Sequence, residues 1–310
     1  MKNKSIRQEF ADTMLEVGKE NPNLVVMVGD ISHSILKPFA KSCPSRYYNV
    51  GICEPSIVNM AAGLSKLNLI PVVHTIAPFI VERSYEQIKL DFGYQKLGVN
   101  LITVGGSFDY SQLGCTHHCY ADVSLMSHFS QSRIFLPGSP QEFNILFKEN
   151  YNNGKINYFR ITNSAHNLSI DKKYIKTGKG AVVREGKDIT ISTIAPQLKT
   201  VIETAEKLKK EKNISAEIIY FPTLKPFDND LIKKSVIKTK NLITFEELSH
   251  HDGLFNLCIK SILGLNDISV KQIAINDFVH DYGSYEDLCS SQGLNHKNLY
   301  QEVLNLLRIN

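Results

Sequence analysis

Glu54 has the clearest chemical setting of any acidic residue in the sequence. It follows a glycine turn in the segment YNVGICEPS (48–56) and precedes a predicted helix from about Pro55 to Lys66. Proline suits the first helical position, because its missing N–H would have no partner inside the helix. A carboxyl at this point projects from a turn, where it can complement the helix dipole or take part in chemistry. The predicted buried stripe of this helix consists of Ile57, Met60, Ala61 and Leu64.

The segment GCTHHC (114–119) brings histidines and cysteines close together. Its members Cys115, His117, His118 and Cys119 are all of zinc-ligand type. Four ligands packed into five residues rarely surround one ion, and no second Cys/His pair lies nearby in the sequence. We therefore expect no metal site in this segment.

Phosphate-binding loops are missing from the sequence. It contains no GxGxxG after a predicted strand and no GxxxxGK[ST]. The one similar run, GKGAVVREGK (178–187), does not lie between a strand and a helix. If the chain acts with a diphosphate cofactor, another polypeptide is expected to hold the diphosphate.

The elements that position these residues alternate between short β-rich runs and amphipathic stretches of helix length. This pattern predicts mostly parallel sheets flanked by helices. The helix predicted over 198–212 places Val201, Ala205 and Leu208 on one face. We predict two successive three-layer α/β domains, residues 1–170 and 188–310, with a lysine-rich linker over 171–187. The candidate strands are 24–29, 71–76, 100–105, 133–138 and 156–161, then 188–195, 215–221, 241–247 and 271–277.

Composition excludes several classes of protein. The 310 residues carry 35 Lys and Arg against 31 Asp and Glu, and the formal charge of +4 is too small to indicate a nucleic-acid partner. No run of eighteen apolar residues and no apolar N-terminal segment are present, so we expect neither membrane insertion nor secretion. Six cysteines in so long a chain do not indicate a disulfide framework, and we expect a cytoplasmic protein.

Two long segments give the sequence a family resemblance. YNVGICEPSIVNMAAGL (48–64) followed by IPVVHTIAPFIVERSYEQIK (70–89) resembles the pyrimidine-binding domain of transketolase. GCTHH (114–118) resembles the family's G-x-THQ segment. FPTLKPFD (221–228), TFEEL (244–248) and the run 275–294 resemble its C-terminal domain. The resemblance covers nearly the whole chain and is strongest to the C-terminal subunit of split transketolases. It implies a thiamine-diphosphate-binding fold of the pyrimidine type followed by a transketolase C-terminal domain.

The resemblance implies roles at the cofactor for three residues. The glutamate that matches Glu54 bonds N1′ of the aminopyrimidine of thiamine diphosphate, whose 4′-imine then removes the thiazolium C2 proton. Such a carboxyl must hold a proton near neutral pH, which burial favours. Phe79 is implied to stack on the aminopyrimidine. Ile76 stands where a second aromatic residue is common, so that wall of the pocket would be aliphatic.

The resemblance also implies residues that face the substrate. His117 matches the histidine that contacts the oxygens of the sugar donor, where an imidazole can bond a hydroxyl or move a proton. Arg160 matches the phosphate-binding arginine, whose fork can bond two oxygens at once. Arg7 and Ser34 align with two further groups at the phosphate end of the channel. Asp30 could orient the loop that holds Ser34.

The chain departs from the family at three positions. Near Gly105 the usual transketolase has a histidine, and near Leu113 it has an aspartate that contacts a sugar hydroxyl. At the third position, Pro55 replaces a His or Gln that is common in the family. The loss of polar contacts would change the discrimination between substrates. An ordinary pentose phosphate is therefore in doubt, and a specialised ketose is an open alternative.

These points together predict the C-terminal subunit of a split transketolase. An N-terminal-type partner would carry the diphosphate and Mg²⁺, in an α₂β₂ assembly, and a two-carbon ketol unit would move between sugars or sugar phosphates. Two enzyme alternatives remain: the beta subunit of a 2-oxo acid dehydrogenase first component, and a 1-deoxyxylulose-phosphate-synthase-like enzyme. A catalytically silent binding subunit is the alternative outside the enzymes.

Overall fold

A computed structural model of the chain describes residues 4–166 and 168–309. The chain forms two sheets, one of seven strands and one of five, each covered by helices. The prediction of two successive α/β domains with mostly parallel sheets is confirmed.

The first sheet has the strand order β10-β5-β6-β4-β3-β1-β2 and is parallel except for its edge pair β10–β5. Strands β1, β3 and β4 are buried along nearly their whole length and read as apolar runs, as expected for a sheet covered on both faces. The bounds of these strands are β1 (Leu24–Val28), β2 (Tyr47–Asn49), β3 (Ile70–Ile76), β4 (Val99–Val104), β5 (Ser132–Phe135), β6 (Ile156–Arg160) and β10 (Thr223–Lys225).

The helices of the first half lie on both sides of this sheet. Ser5 caps the first of them and accepts a hydrogen bond from the backbone N–H of Gln8. The helix bounds are α1 (Ile6–Glu20), α2 (His33–Ser42), α3 (Glu54–Lys66), α4 (Ala77–Val81), α5 (Tyr85–Gln87, continued by a π-helix over Ile88–Tyr94), α6 (Asp122–Ser127) and α7 (Pro140–Asn150).

The second sheet has the order β12-β11-β8-β9-β7, with β7 antiparallel at the edge. The helix predicted over 198–212 is present, and its residues Val201, Ala205 and Leu208 are fully buried. The bounds here are β7 (Ala181–Arg184), β8 (Ile189–Thr193), β9 (Ala216–Tyr220), β11 (Asn241–Ser249), β12 (Ser269–Ile275), α8 (Leu198–Lys212), α9 (Asn229–Thr239), α10 (Leu254–Ile262), α11 (Tyr285–Ser291) and α12 (His296–Leu307).

Two edge strands lie where the sequence did not indicate them. Strand β7 falls inside the segment expected to be a linker, and it pairs with β9 of the second sheet. Strand β10 comes from the second half of the chain, yet it pairs with β5 of the first sheet. The two halves of the chain are therefore joined by a shared sheet as well as by a connecting segment.

The expected buried stripe of α3 is partly wrong. Ile57 and Ala61 are fully buried, but the Met60 side chain is 48% exposed. At about 100° per residue, the buried face is centred near Val58 and Ala61, and Met60 lies more than a third of a turn away from it. Apolar character alone does not show which side of this helix meets the sheet.

Within residues 4–166 and 168–309, no helix is long and apolar enough to cross a membrane.

Candidate active site

The predicted site residues lie at the carboxyl edge of the first sheet. Asp30 follows β1, Glu54 follows β2, Phe79 follows β3 and Arg160 ends β6. Ligand sites of open parallel sheets form at this edge, because the loops leaving the strands meet there.

Glu54 is the first residue of α3 and is only 1% exposed. Gly51, with φ of +82°, makes the tight turn out of β2 that brings the chain into the helix. Oε2 of Glu54 accepts a hydrogen bond from Nη1 of Arg83 at 3.1 Å. A buried carboxylate is costly unless it is paired, so Arg83 stabilises the charged form of Glu54.

Phe79 lies in α4 and is half-buried. The guanidinium carbon of Arg83 lies 4.2 Å from the centre of its ring. The ring of His117 meets it edge-on, with 5.1 Å between ring centres. Glu54, Phe79, Arg83 and His117 thus form one group, which we call the glutamate cluster.

Arg83 was missed by sequence reasoning. A usable signal was its position four residues after Phe79, a spacing that puts two side chains on the same side of a helical segment. Its contacts with Glu54 and Phe79 make it the centre of the glutamate cluster.

His117 belongs to the loop that the GCTHH segment forms. Gly114, at φ of +76°, starts the turn, and its carbonyl oxygen accepts from the backbone N–H of His117 at 2.9 Å. Burial, together with the nearby positive charge of Arg83, lowers the pKa of His117. The imidazole is therefore neutral at pH 7 and has one nitrogen able to accept a proton.

Ile76, at the end of β3, lies beside Gly105, together with a tyrosine that the sequence did not single out. A Cβ at Gly105 would lie 2.4 Å from the Tyr110 ring and 3.1 Å from Cγ2 of Ile76. Tyr110 therefore occupies the space where the usual transketolase was expected to place a histidine. Its ring centre lies 6.2 Å from that of His117.

Arg7, Asp30 and Ser34 line one cavity of about 400 Å³, which we call the Arg7 pocket. Arg7 lies on α1, and the other two lie on the loop and helix start that follow β1. Asp30 is held by Asn49, whose Oδ1 accepts from the Asp30 backbone N–H at 3.0 Å. The fold thus brings Arg7 of α1 to the same cavity as Asp30 and Ser34, which come later in the sequence.

Arg160 ends β6, and its side chain is only 3% exposed. Its guanidinium lies 3.1 Å from Asp122 Oδ2 and 3.3 Å from Glu247 Oε1, and it also bonds the hydroxyl of Ser107. Since Glu247 belongs to β11, its ion pair with Arg160 joins the two halves of the chain. The predicted contact of Arg160 with a substrate phosphate stays a prediction, while the structure gives it a buried bridging position.

Cys115 of the GCTHHC segment is exposed and Cys119 is buried. Across the described part of the chain, no group of three or more His, Cys, Asp and Glu side chains could hold a metal ion.

Comparisons with known proteins match the chain along nearly its whole length. The family model for the transketolase pyrimidine-binding domain matches residues 2–167, and that for the transketolase C-terminal domain matches residues 178–299. An apulose-4-phosphate transketolase subunit of Phocaeicola vulgatus is 28% identical over 305 residues, with 97% of each chain covered. The 6-deoxy-6-sulfo-D-fructose transketolase subunit SqwH of a Clostridium species is 25% identical over 296 residues, covering 95% of this chain and 92% of the other.

A solved structure agrees with these matches. It is described as a split-gene transketolase in an inactive β4 tetramer, and it superposes with a TM-score of 0.87 at 27% identity, covering 99% of both chains. Together with the two sheets and the glutamate cluster, these matches show that the chain belongs to the transketolase family and is of the C-terminal subunit type of a split transketolase.

Proposed function

We propose that this chain, with an N-terminal-type partner, forms a thiamine-diphosphate-dependent transketolase that moves a two-carbon ketol unit between sugars or sugar phosphates. The observation that carries the proposal is the convergence of Glu54, Phe79 and His117 in the glutamate cluster at the carboxyl edge of the sheet. The relatives named as transketolase subunits support the same reaction class.

The side chains of the glutamate cluster fit the aminopyrimidine half of the cofactor. Glu54 offers a buried carboxyl able to bond a ring nitrogen, and Phe79 offers a half-buried aromatic face for stacking. Ile76 adds an aliphatic wall. When bound, thiamine diphosphate supplies a carbanion centre that accepts the ketol fragment.

In this proposal, Glu54 holds a proton at the ring nitrogen that it bonds. The 1% exposure of Glu54 supports this role, because its carboxyl is shielded from bulk water. We propose that Glu54 exchanges Arg83 for the pyrimidine nitrogen when the cofactor binds. His117, neutral at pH 7, bonds a hydroxyl of the sugar donor and can move its proton.

The diphosphate and Mg²⁺ are assigned to the partner. Residues 4–166 and 168–309 bring together no metal-binding group of acidic, His or Cys side chains, and the sequence has no GDG motif followed by paired asparagines. We propose an α₂β₂ assembly in which Glu54 and Phe79 reach the cofactor across the interface with the partner.

The Arg7 pocket is proposed to hold the anionic end of the substrate. Arg7 supplies a positive charge and Ser34 a hydroxyl, both at the same cavity. The names of two relatives include a sugar phosphate and a sulfo-sugar, whose end groups are tetrahedral oxyanions. This chemistry favours a sugar with an anionic end over a 2-oxo acid.

The test is reconstitution with the partner in the presence of thiamine diphosphate and Mg²⁺. We expect turnover of xylulose 5-phosphate, little with pyruvate, and none from either chain alone. The Glu54→Gln complex should lose at least about 100-fold in kcat, in the range for loss of general acid–base catalysis. Exchange of the exposed Glu86 for Gln is the matched control. Turnover by the single chain, or full activity of Glu54→Gln, would contradict the proposal.

A further inference from the structure

We propose that His74 is a positioning residue that fixes the guanidinium of Arg7 through the hydroxyl of Ser32, and thereby sets the preference for substrates with a tetrahedral oxyanion. The inference rests on the proposed function for its substrate class. It assigns a role to two residues that the candidate site did not include.

His74 is joined to Arg7 by a continuous line of hydrogen bonds. Nδ1 of His74 lies 2.8 Å from the carbonyl oxygen of Ile102, and Nε2 lies 2.7 Å from Oγ of Ser32. Oγ of Ser32 in turn accepts from Nε of Arg7 at 2.7 Å. Side chains from β3 and α1 are thus connected through the loop after β1.

The direction of each hydrogen bond in this line follows from the carbonyl oxygen of Ile102, which lies at one end of it. A carbonyl oxygen can only accept, so Nδ1 of His74 carries the proton that it donates to Ile102. Complete burial lowers the pKa of His74 to about 3, so the ring is neutral and Nε2 must accept from the Ser32 hydroxyl. Oγ of Ser32 is then left with lone pairs for Arg7 alone, which fixes the orientation of the guanidinium.

The fold supplies the geometry for this line. Strands β1 and β3 pair in parallel with Val28 opposite His74, so the loop after β1 passes beside the imidazole. Ser32 has a left-handed conformation with φ of +58°, which a non-glycine residue adopts at a cost. Its two hydrogen bonds to buried or half-buried partners hold that conformation.

His74 also contacts the helix that carries Arg7. Its ring centre lies 4.4 Å from that of Phe10, a buried residue of α1. The imidazole therefore fixes both the helix and the end of the Arg7 side chain.

The arrangement leaves Arg7 prepared for an anion. Among the residues that the structure describes, Ser32 is the hydrogen-bond partner of its guanidinium, through Nε. The two terminal nitrogens keep their N–H groups for a ligand in the Arg7 pocket, where Ser34 also lies. A guanidinium held by one nitrogen can present the other two as a fork to two oxygens.

The first experiment measures anion binding by the isolated full chain, with inorganic phosphate as probe and chloride at equal ionic strength as control. We expect phosphate to raise Tm in wild type, and the His74→Leu and Ser32→Ala variants to bind phosphate about 10-fold more weakly, the loss expected for one hydrogen bond to a charged group. His74→Gln keeps an acceptor for the Ser32 hydroxyl and should retain most of the binding. Thr13→Val removes a buried hydroxyl from the same α1 helix outside this line and should bind phosphate like wild type.

The second experiment uses the reconstituted complex and compares xylulose 5-phosphate with xylulose. The ratio of their kcat/KM values should fall about 10-fold in His74→Leu and in Ser32→Ala, through KM for the phosphorylated donor, by the same hydrogen-bond argument. The double variant should lose no more than either single variant, because both act through one path. Should His74→Leu fail to fold, Ser32→Ala carries the same test.

The outcomes separate the two proposals. Unchanged phosphate binding and an unchanged ratio in folded variants would overturn the role of His74 and leave the transketolase proposal standing. A wild-type complex that turns over neither donor would overturn the proposed function, while the phosphate measurement still decides the role of His74. Absence of phosphate binding in wild type would overturn the inference itself.

Discussion

Arg83 lies over the Phe79 ring, with its guanidinium carbon 4.2 Å from the ring centre. The same guanidinium pairs with the buried carboxyl of Glu54. The Arg83 side chain thus contacts both Glu54 and Phe79, the two residues that the proposed function places at the aminopyrimidine. In that proposal, Arg83 is the partner that the cofactor replaces.

Removal of this partner should destabilise the isolated chain. Arg83→Met leaves the Glu54 carboxylate buried without its ion pair, and we expect a loss of about 1–3 kcal/mol in the free energy of unfolding at pH 7. Urea denaturation measures it. The Glu54→Gln/Arg83→Met double variant should recover part of the loss, and equal stability of wild type and Arg83→Met would contradict the role of the pair.

Arg83→Met should also change the titration of His117. The positive charge of Arg83 disfavours the His117 imidazolium. Removal of that charge should therefore raise the pKa of His117 toward the ordinary histidine value. NMR titration of the His117 ring proton in the isolated chain measures this shift. The resonance of His296 in the other half of the chain is the internal control, and a lower His117 pKa in the variant would show that the sign is wrong.

Arg160 should behave as a residue that joins the two halves of the chain. Arg160→Met leaves Asp122 and Glu247 as uncompensated buried carboxyls, and we expect a loss of about 3–5 kcal/mol in stability. The half-buried Arg184, exchanged for Met, is the control. A stable Arg160→Met complex with a raised KM for a sugar phosphate would instead support the phosphate contact expected from the family resemblance.

Stability should depend on pH through Glu246. Burial raises the pKa of Glu246 to about 7 from an ordinary 4.5, although it accepts from the backbone N–H of Phe255 at 2.9 Å. The folded chain therefore keeps a proton that the unfolded chain has already released. The free energy of unfolding should fall as pH rises from about 4.5 to 7, by at most about 1.4 kcal/mol per pH unit from this group.

Denaturation of wild type and Glu246→Gln across pH 5 to 8 checks this expectation. The variant keeps an acceptor but has no proton to release, so its stability should depend less on pH. Exchange of the exposed Glu206 for Gln should leave the wild-type slope unchanged. Identical slopes in wild type and Glu246→Gln would contradict the assignment.

The sequence predicted the long buried strands well, because apolar runs such as those around Leu24 and Val99 leave few alternatives. It did not show the three-residue strands β2 and β10 or the edge strand β7. These strands are too short for a periodic signal, and their pairing depends on the position of the neighbouring strand. The exposed Met60 shows the same limit for a helix, since the apolar pattern did not distinguish the sheet-facing side from its neighbour.

The candidate site was predictable where it consisted of single motif residues. Glu54, Phe79 and His117 came from motifs, and the structure places them in contact with one another or with Arg83. The lines of contact between distant segments were not predictable. Ser32 and His74 are separated by 42 positions, and only the parallel register of β1 and β3 brings them to hydrogen-bonding distance.

Strand β10 determines whether the first half of the chain has a covered sheet edge when it is separated from the second half. A fragment ending in the lysine-rich segment would lack β10, and the backbone groups of β5 that pair with Thr223 and Lys225 would be left open to solvent. Open edges of this kind invite pairing with other copies. A cut between the two halves should therefore yield a first half that aggregates through the uncovered edge of β5.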